Sequence, residues 1–180
     1  MVKGGATWGL LVGLLLAMPL AAEVLDGRVS AMQTNADWHS LRLALDQRNF
    51  ARAMVKAPNG NILALDYPLG SECTVPFISV LIPLQKEAET STSTPYSGVF
   101  RVDQRPTMPF EATMTRSIGD NMGIMTIDAL GDVRGFLLSL LDGRNLRLQV
   151  GEGNSDVTEK FSLLGARQAM TRAMRICIGP

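Results

Sequence analysis

The side chains able to do chemistry in this chain are few, and their spacing limits what they can do. His39 is the only histidine among 180 residues. Any Ser-His-Asp or Cys-His nucleophile system would have to use it. It follows Trp38 on a segment that alternates like a strand, and residues 23–180 hold no G-x-S-x-G elbow. His39 is therefore read as an exposed structural histidine, no catalytic residue is assigned, and the chain is expected not to be an enzyme. A zinc site would need three or four ligands, usually several His or Cys, and one histidine with two cysteines does not supply them. Asp120, Asp128 and Asp132 could form carboxylate pairs of the kind glycoside hydrolysis uses. They fall instead at turn and helix-cap positions, where Asp bonds its own backbone. Gly151-x-Gly153 joins two expected strands, so no helix N-terminus faces a phosphate there.

The methionines offer the main chemical alternative. Met108, Met114, Met122 and Met125 fall within 18 residues. Thioethers suit Cu(I), which makes a periplasmic Cu(I)-binding protein the competing function. Methionine is also an adaptable core filler, and that reading is preferred; no metal or other cofactor is expected. Two features could contact a partner. Arg101, Asp103 and Arg105 form a charged strip on or beside a strand. Tyr96 lies in the Ser/Thr-rich stretch 86–97, which reads as a loop.

These residues must be positioned by elements, and the elements by a compartment. Lys3 precedes the apolar run Leu10 to Leu20, and the small residues Ala21 and Ala22 follow. That order is a secretory signal peptide over 1–22. The run is shorter than the roughly 20 apolar residues a spanning helix needs, so no stable membrane anchor is expected after cleavage. Residues 23–36 read as a flexible leader and 37–180 as a single β-rich periplasmic domain. Basic and acidic residues balance at 17 each, and no polybasic block exists. Nucleic acid and anionic membrane surfaces are therefore not expected partners. Cys73 and Cys177 are an even count in an exported chain, which predicts a disulfide; two buried free thiols are the alternative.

Leu41, Leu43 and Leu45 alternate with polar or small residues from Trp38 onward, as a half-buried strand does. Asp46 to Asn49 turns the chain toward a partner over 50–56, and Asn59-Gly60 is the best tight-turn signal. Strands are expected at 61–66, 73–84, 99–103, 110–116, 123–128, 146–150 and 157–163. Pro76 and Pro83 would confine the 73–84 strand to an edge or a bulge. Asp132 caps a short helix over 132–142, with Gly143 as its left-handed stop. A terminal helix over 166–177 carries the stripe Ala166, Ala169, Met170, Ala173, Met174 and Cys177, with Arg167, Arg172 and Arg175 opposite. The fold is expected to be mainly β (α+β): a β-sandwich-like domain of seven to nine short strands, one short helix and a C-terminal amphipathic helix.

The ending carries a pattern. Phe161-Ser162-Leu163-Leu164-Gly165 is followed by Ala169 four residues after the glycine and Cys177 twelve after it. This F-x-L-x-G, Ala, Cys spacing resembles the C-terminal end of the type VI secretion-associated VasI family. The order of Arg101-Val102-Asp103, the helix ending at Gly143 and the strand from Leu146 to Val150 fits it. A weaker similarity is to the invasion-associated locus B family. The resemblance covers roughly 98–180, with Trp38 and Cys73 matching loosely. Glu72 and Ala166 depart from the pattern, where a basic and a large apolar residue are usual. The resemblance implies a periplasmic accessory protein that binds another envelope protein, with no catalytic residues to carry over.

Overall fold

The computed structural model describes residues 28–45, 48–151 and 157–179. The expected signal peptide, the first residues of the leader and most of the turn at 151–154 lie outside them. Among the described residues, ten strands and two helices follow in order: β1 (Arg28–Asn35), β2 (Trp38–Leu45), β3 (Arg48–Lys56), β4 (Ile62–Pro68), β5 (Phe77–Pro83), β6 (Thr92–Val102), β7 (Met108–Arg116), β8 (Met122–Leu130), α1 (Val133–Asp142), β9 (Asn145–Val150), β10 (Val157–Ser162) and α2 (Ala166–Ile178). The protein is mainly β, with one short helix and a C-terminal amphipathic one, as the patterns predict.

All ten strands join one sheet in the order β1-β2-β3-β4-β5-β8-β7-β6-β9-β10, with every neighbouring pair antiparallel. The sheet curls until its two ends meet. The Trp38 indole N–H donates to the Ser162 carbonyl at 2.8 Å, joining β2 to the end of β10. Asn59, in the β3–β4 turn, bonds Glu159 on β10. A single sheet thus encloses a shared core, which the two helices close. Alternation explains its lining: Ala51, Ala53 and Val55 of β3 and Leu63, Leu65 and Tyr67 of β4 all turn inward. Phe100 stands between Phe110 and Phe136, with ring centroids 4.6 and 4.7 Å away.

Several expectations are corrected. Residues 28–35, assigned to a flexible leader, form β1, which pairs with β2 through a two-residue turn at Ala36-Asp37. Residues 92–97, assigned to a loop, begin β6 and pair with Arg116 to Glu111 of β7. The strand expected at 73–84 is shorter and lies inside the sheet, between β4 and β8. Pro76 precedes it and Pro83 ends it, so neither interrupts the ladder. Gly143 is not a left-handed stop, because its φ is −82°. A Cβ there would stand 2.3 Å from Val102 Cγ1 and 2.8 Å from Leu163 Cδ1; glycine is needed for space, not for its backbone angle. His39 is buried, not exposed.

Candidate functional site

α2 is held at both ends. At its start, Gly165 takes φ +93°, and a Cβ there would lie 1.8 Å from the Asn35 carbonyl oxygen. Only a residue without a side chain lets α2 begin this close to the β1–β2 hairpin. The Asp37 N–H donates to the Leu164 carbonyl at 3.2 Å and completes the junction. At its far end, Cys177 is bonded to Cys73, in the β4–β5 connection, with Cα atoms 5.9 Å apart. Between these points the expected stripe is buried at Ala166, Ala169, Met170, Ala173 and Cys177, while Met174 packs at the margin.

The arginine side of α2 faces β1 across an open cleft of about 1000 Å³. Gln33, Asn35 and Arg42 line one wall, and Arg172, Arg175 and Ile178 line the other. Arg167 also borders the cleft and is paired with Asp142. Arg172 donates to the Ser40 carbonyl and hydroxyl, both at 3.2 Å. Arg42 and Arg175 have no ion-pair partner among the described residues. Four guanidinium groups thus border the cleft, and no carboxylate is among the described residues that line it. A cleft of that charge can take carboxylate or phosphate oxygens, in bidentate fashion where geometry allows. The one-sided spacing of Arg167, Arg172 and Arg175 is legible in the sequence. Their opposing wall is not, because β1 was not expected to be a strand.

The expected contact residues separate. Arg101 is exposed on β6, opposite Arg147 of β9. Asp103 follows in a tight turn with φ 49°. Its carboxylate accepts from the backbone N–H groups of Arg144 and Asn145, each at 3.0 Å. The Arg144 N–H is the main reason its pKa lies below the ordinary carboxylate range, with Asn145 and the Arg105 charge adding to it and slight burial opposing. Asp103 therefore fastens the β6 turn to the start of β9. The Arg105 N–H closes the same turn on the Val102 carbonyl at 2.9 Å. Tyr96 lies five residues before Arg101, roughly 17 Å along the strand, and on the opposite face. It borders a smaller cleft with Pro95, Ser97 and Glu111. These four residues do not make one surface.

The methionines divide as well. Met114 and Met125 are register partners and turn into the main core, and Met108 packs against it. Met122 joins a separate cluster on the other face of the sheet with Ile62, Ala64 and Leu81. The four methionines are thus divided between two clusters, with Met114 and Met125 brought together and Met122 set apart from them. His39 bonds the Thr34 hydroxyl through Nδ1 at 3.1 Å, across the β1–β2 hairpin. Burial holds its pKa below the ordinary value. Asp132 caps α1 as expected, accepting from the Gly135 N–H at 2.8 Å. Asp128 accepts from the Thr113 hydroxyl at 2.6 Å.

One pair went unnoticed in the sequence. Arg52 of β3 and Asp66 of β4 are buried, with Nε and Nη2 each 2.6 Å from a carboxylate oxygen. The signal was present. A hairpin turned at Asn59-Gly60 puts 52 opposite 66, and both are charges inside otherwise apolar strands. Comparison of the chain with protein-family models, curated proteins and solved structures gives no match.

Proposed function

We propose that the protein is an exported, non-enzymatic accessory protein of the bacterial periplasm that acts by binding another envelope protein, in the way the resemblance of its last third to the type VI secretion-associated VasI family implies. The observation that carries this reading is the Cys73–Cys177 pair, which joins the last turn of the chain to the middle of the sheet. A bond of this kind suits an oxidising compartment and would be reduced in the cytosol. The order of cation, apolar run and small residues over 1–22 supports the same compartment. The arginine cleft supports binding as the mode of action, since it gathers unpaired charge without enclosing it.

Fractionation of cells carrying a C-terminally tagged chain tests the compartment. The tagged protein is expected in the osmotic-shock fluid, beginning near Glu23 and carrying no free thiol. Recovery from the cytosol with an intact leader would overturn the proposal. Crosslinking in intact envelopes then tests partnership: an envelope protein enriched over a tag-only control supports it, and no enrichment counts against it.

A further inference from the structure

β1 is the first strand of the sheet order, so among the described residues one side of its backbone is unpaired. An open strand edge is a template for another chain. Natural edges are commonly blunted by lysine, proline or a bulge. β1 contains neither lysine nor proline, and its one irregularity falls between Ser30 and Gln33, where Ala31 takes φ 51°. Beyond it, Gln33, Thr34 and Asn35 resume regular pairing with β2. The Asn35 carbonyl abuts Gly165 at the start of α2, which leaves Gln33 and Thr34 as the regular part of this edge, along the rim of the arginine cleft.

Two recognition chemistries therefore meet in one place. A strand edge selects an extended backbone, through main-chain hydrogen bonds. The guanidinium groups of Arg42, Arg172 and Arg175 select negative charge. Side chains alternate along an added strand, so every second one would turn toward α2 and these arginines. Ile178, 76 % exposed at the end of α2, offers apolar contact at the cleft mouth.

We propose that the cleft between β1 and α2 binds an extended acidic segment of a partner protein, which adds to the edge of β1 and sets its carboxylates against Arg42, Arg172 and Arg175. This rests on the binding role proposed above and names the partner's chemistry. A phosphorylated or lipid surface would satisfy the arginines alone; the adjoining strand edge favours a polypeptide.

The test uses the oxidised, purified chain and a fluorescent peptide alternating Glu with Val, read by polarisation. Because it is done in solution, it does not depend on the compartment, so it can fail while the export reading stands, or the reverse. Binding is expected to weaken as salt rises and to be absent for the Lys-Val counterpart. The double variant Arg42→Glu, Arg175→Glu is expected to bind at least about tenfold more weakly. Arg172 is left intact because it holds Ser40. Should charge reversal impair folding, Arg42→Gln, Arg175→Gln serves with the same expected direction. A peptide N-methylated at alternate amides keeps its charge but cannot pair with β1, and it is expected not to bind. Equal binding by the N-methylated peptide, or by either arginine variant, would overturn the proposal. So would arginine-dependent binding of phosphatidylglycerol vesicles with none of the Glu-Val peptide, which would assign the cleft to a lipid surface.

Discussion

Gly165→Ala tests the junction on which the fold closes, and Gly119→Ala provides an internal control. Both glycines take left-handed φ, +93° and +82°. An L-residue in that region costs about 1–2 kcal/mol. A Cβ at Gly119 meets nothing within 4 Å, so Gly119→Ala is expected to cost only this backbone term, about 1 kcal/mol. At Gly165 the added carbon would lie 1.8 Å from Asn35 O and 2.6 Å from its carbonyl carbon. These are backbone atoms and cannot swing aside. Either the β1–β2 hairpin or the start of α2 must retreat. That retreat threatens the Asp37 to Leu164 and Trp38 to Ser162 hydrogen bonds, each worth about 1 kcal/mol. The total is about 3–4 kcal/mol. For a domain of this size each kcal/mol lowers the melting temperature by about 2–4 °C, so Gly165→Ala should melt roughly 10 °C below the parent and Gly119→Ala only a few degrees below it. Thermal and urea melts under non-reducing conditions measure both. Equal losses for the two variants would refute the close approach of α2 to the hairpin.

Reduction of the Cys73–Cys177 bond, or Cys177→Ser, should destabilise the chain by up to about 4–5 kcal/mol, since the two residues are 104 apart; unchanged melts with and without reductant would count against the bond. Arg52→Ala leaves Asp66 buried without its cation and should cost about 3–5 kcal/mol by urea unfolding. Arg52 Nη1 is itself buried without a partner, so the double change Arg52→Met, Asp66→Leu should recover most of that loss, and failure to recover it would show the pair to be intrinsically stabilising. His39 has a folded pKa lowered by burial, so the unfolded chain takes up the proton first as pH falls below about 6.5. Stability should therefore decline below that pH, and His39→Gln should flatten this part of the stability–pH curve. Asp103 is depressed in the folded state, so its contribution is present above the ordinary carboxylate range and lost as pH falls through its lower folded value; Asp103→Asn should remove that small acid-side loss.

The elements legible in the sequence are those whose two faces differ. β9 and α2 meet core on one side and solvent on the other, and their apolar periods say so; in β2 the leucine period marks a strand, but Leu41 and Leu43 share the face of Arg52 while Trp38 turns to the main core. β1 was hidden because it is an edge strand in which Val29 and Met32 stay exposed, leaving no period to read. The first half of β6 was hidden for the same reason: residues 92–97 are all exposed, and a Ser/Thr-rich composition reads as loop when mainly the backbone ladder to β7 holds it in place. Gly143 was placed at the right boundary for the wrong cause, since crowding by Val102 and Leu163 is a tertiary fact. The candidate site was half legible. Three arginines on one side of a helix are a local pattern, whereas their facing wall depends on a strand more than 120 residues earlier (Arg42 to Arg167). The charged strip at 101–105 looked like a surface because spacing cannot reveal that Asp103 is spent on two backbone amides.

α2 lies across the first four strands. Until residue 177 is available, the sheet lacks both the helix that covers it and the sulfur that fastens it. A chain whose α2 has not yet docked therefore cannot complete its tertiary structure, and closure over so long a separation is intrinsically slow.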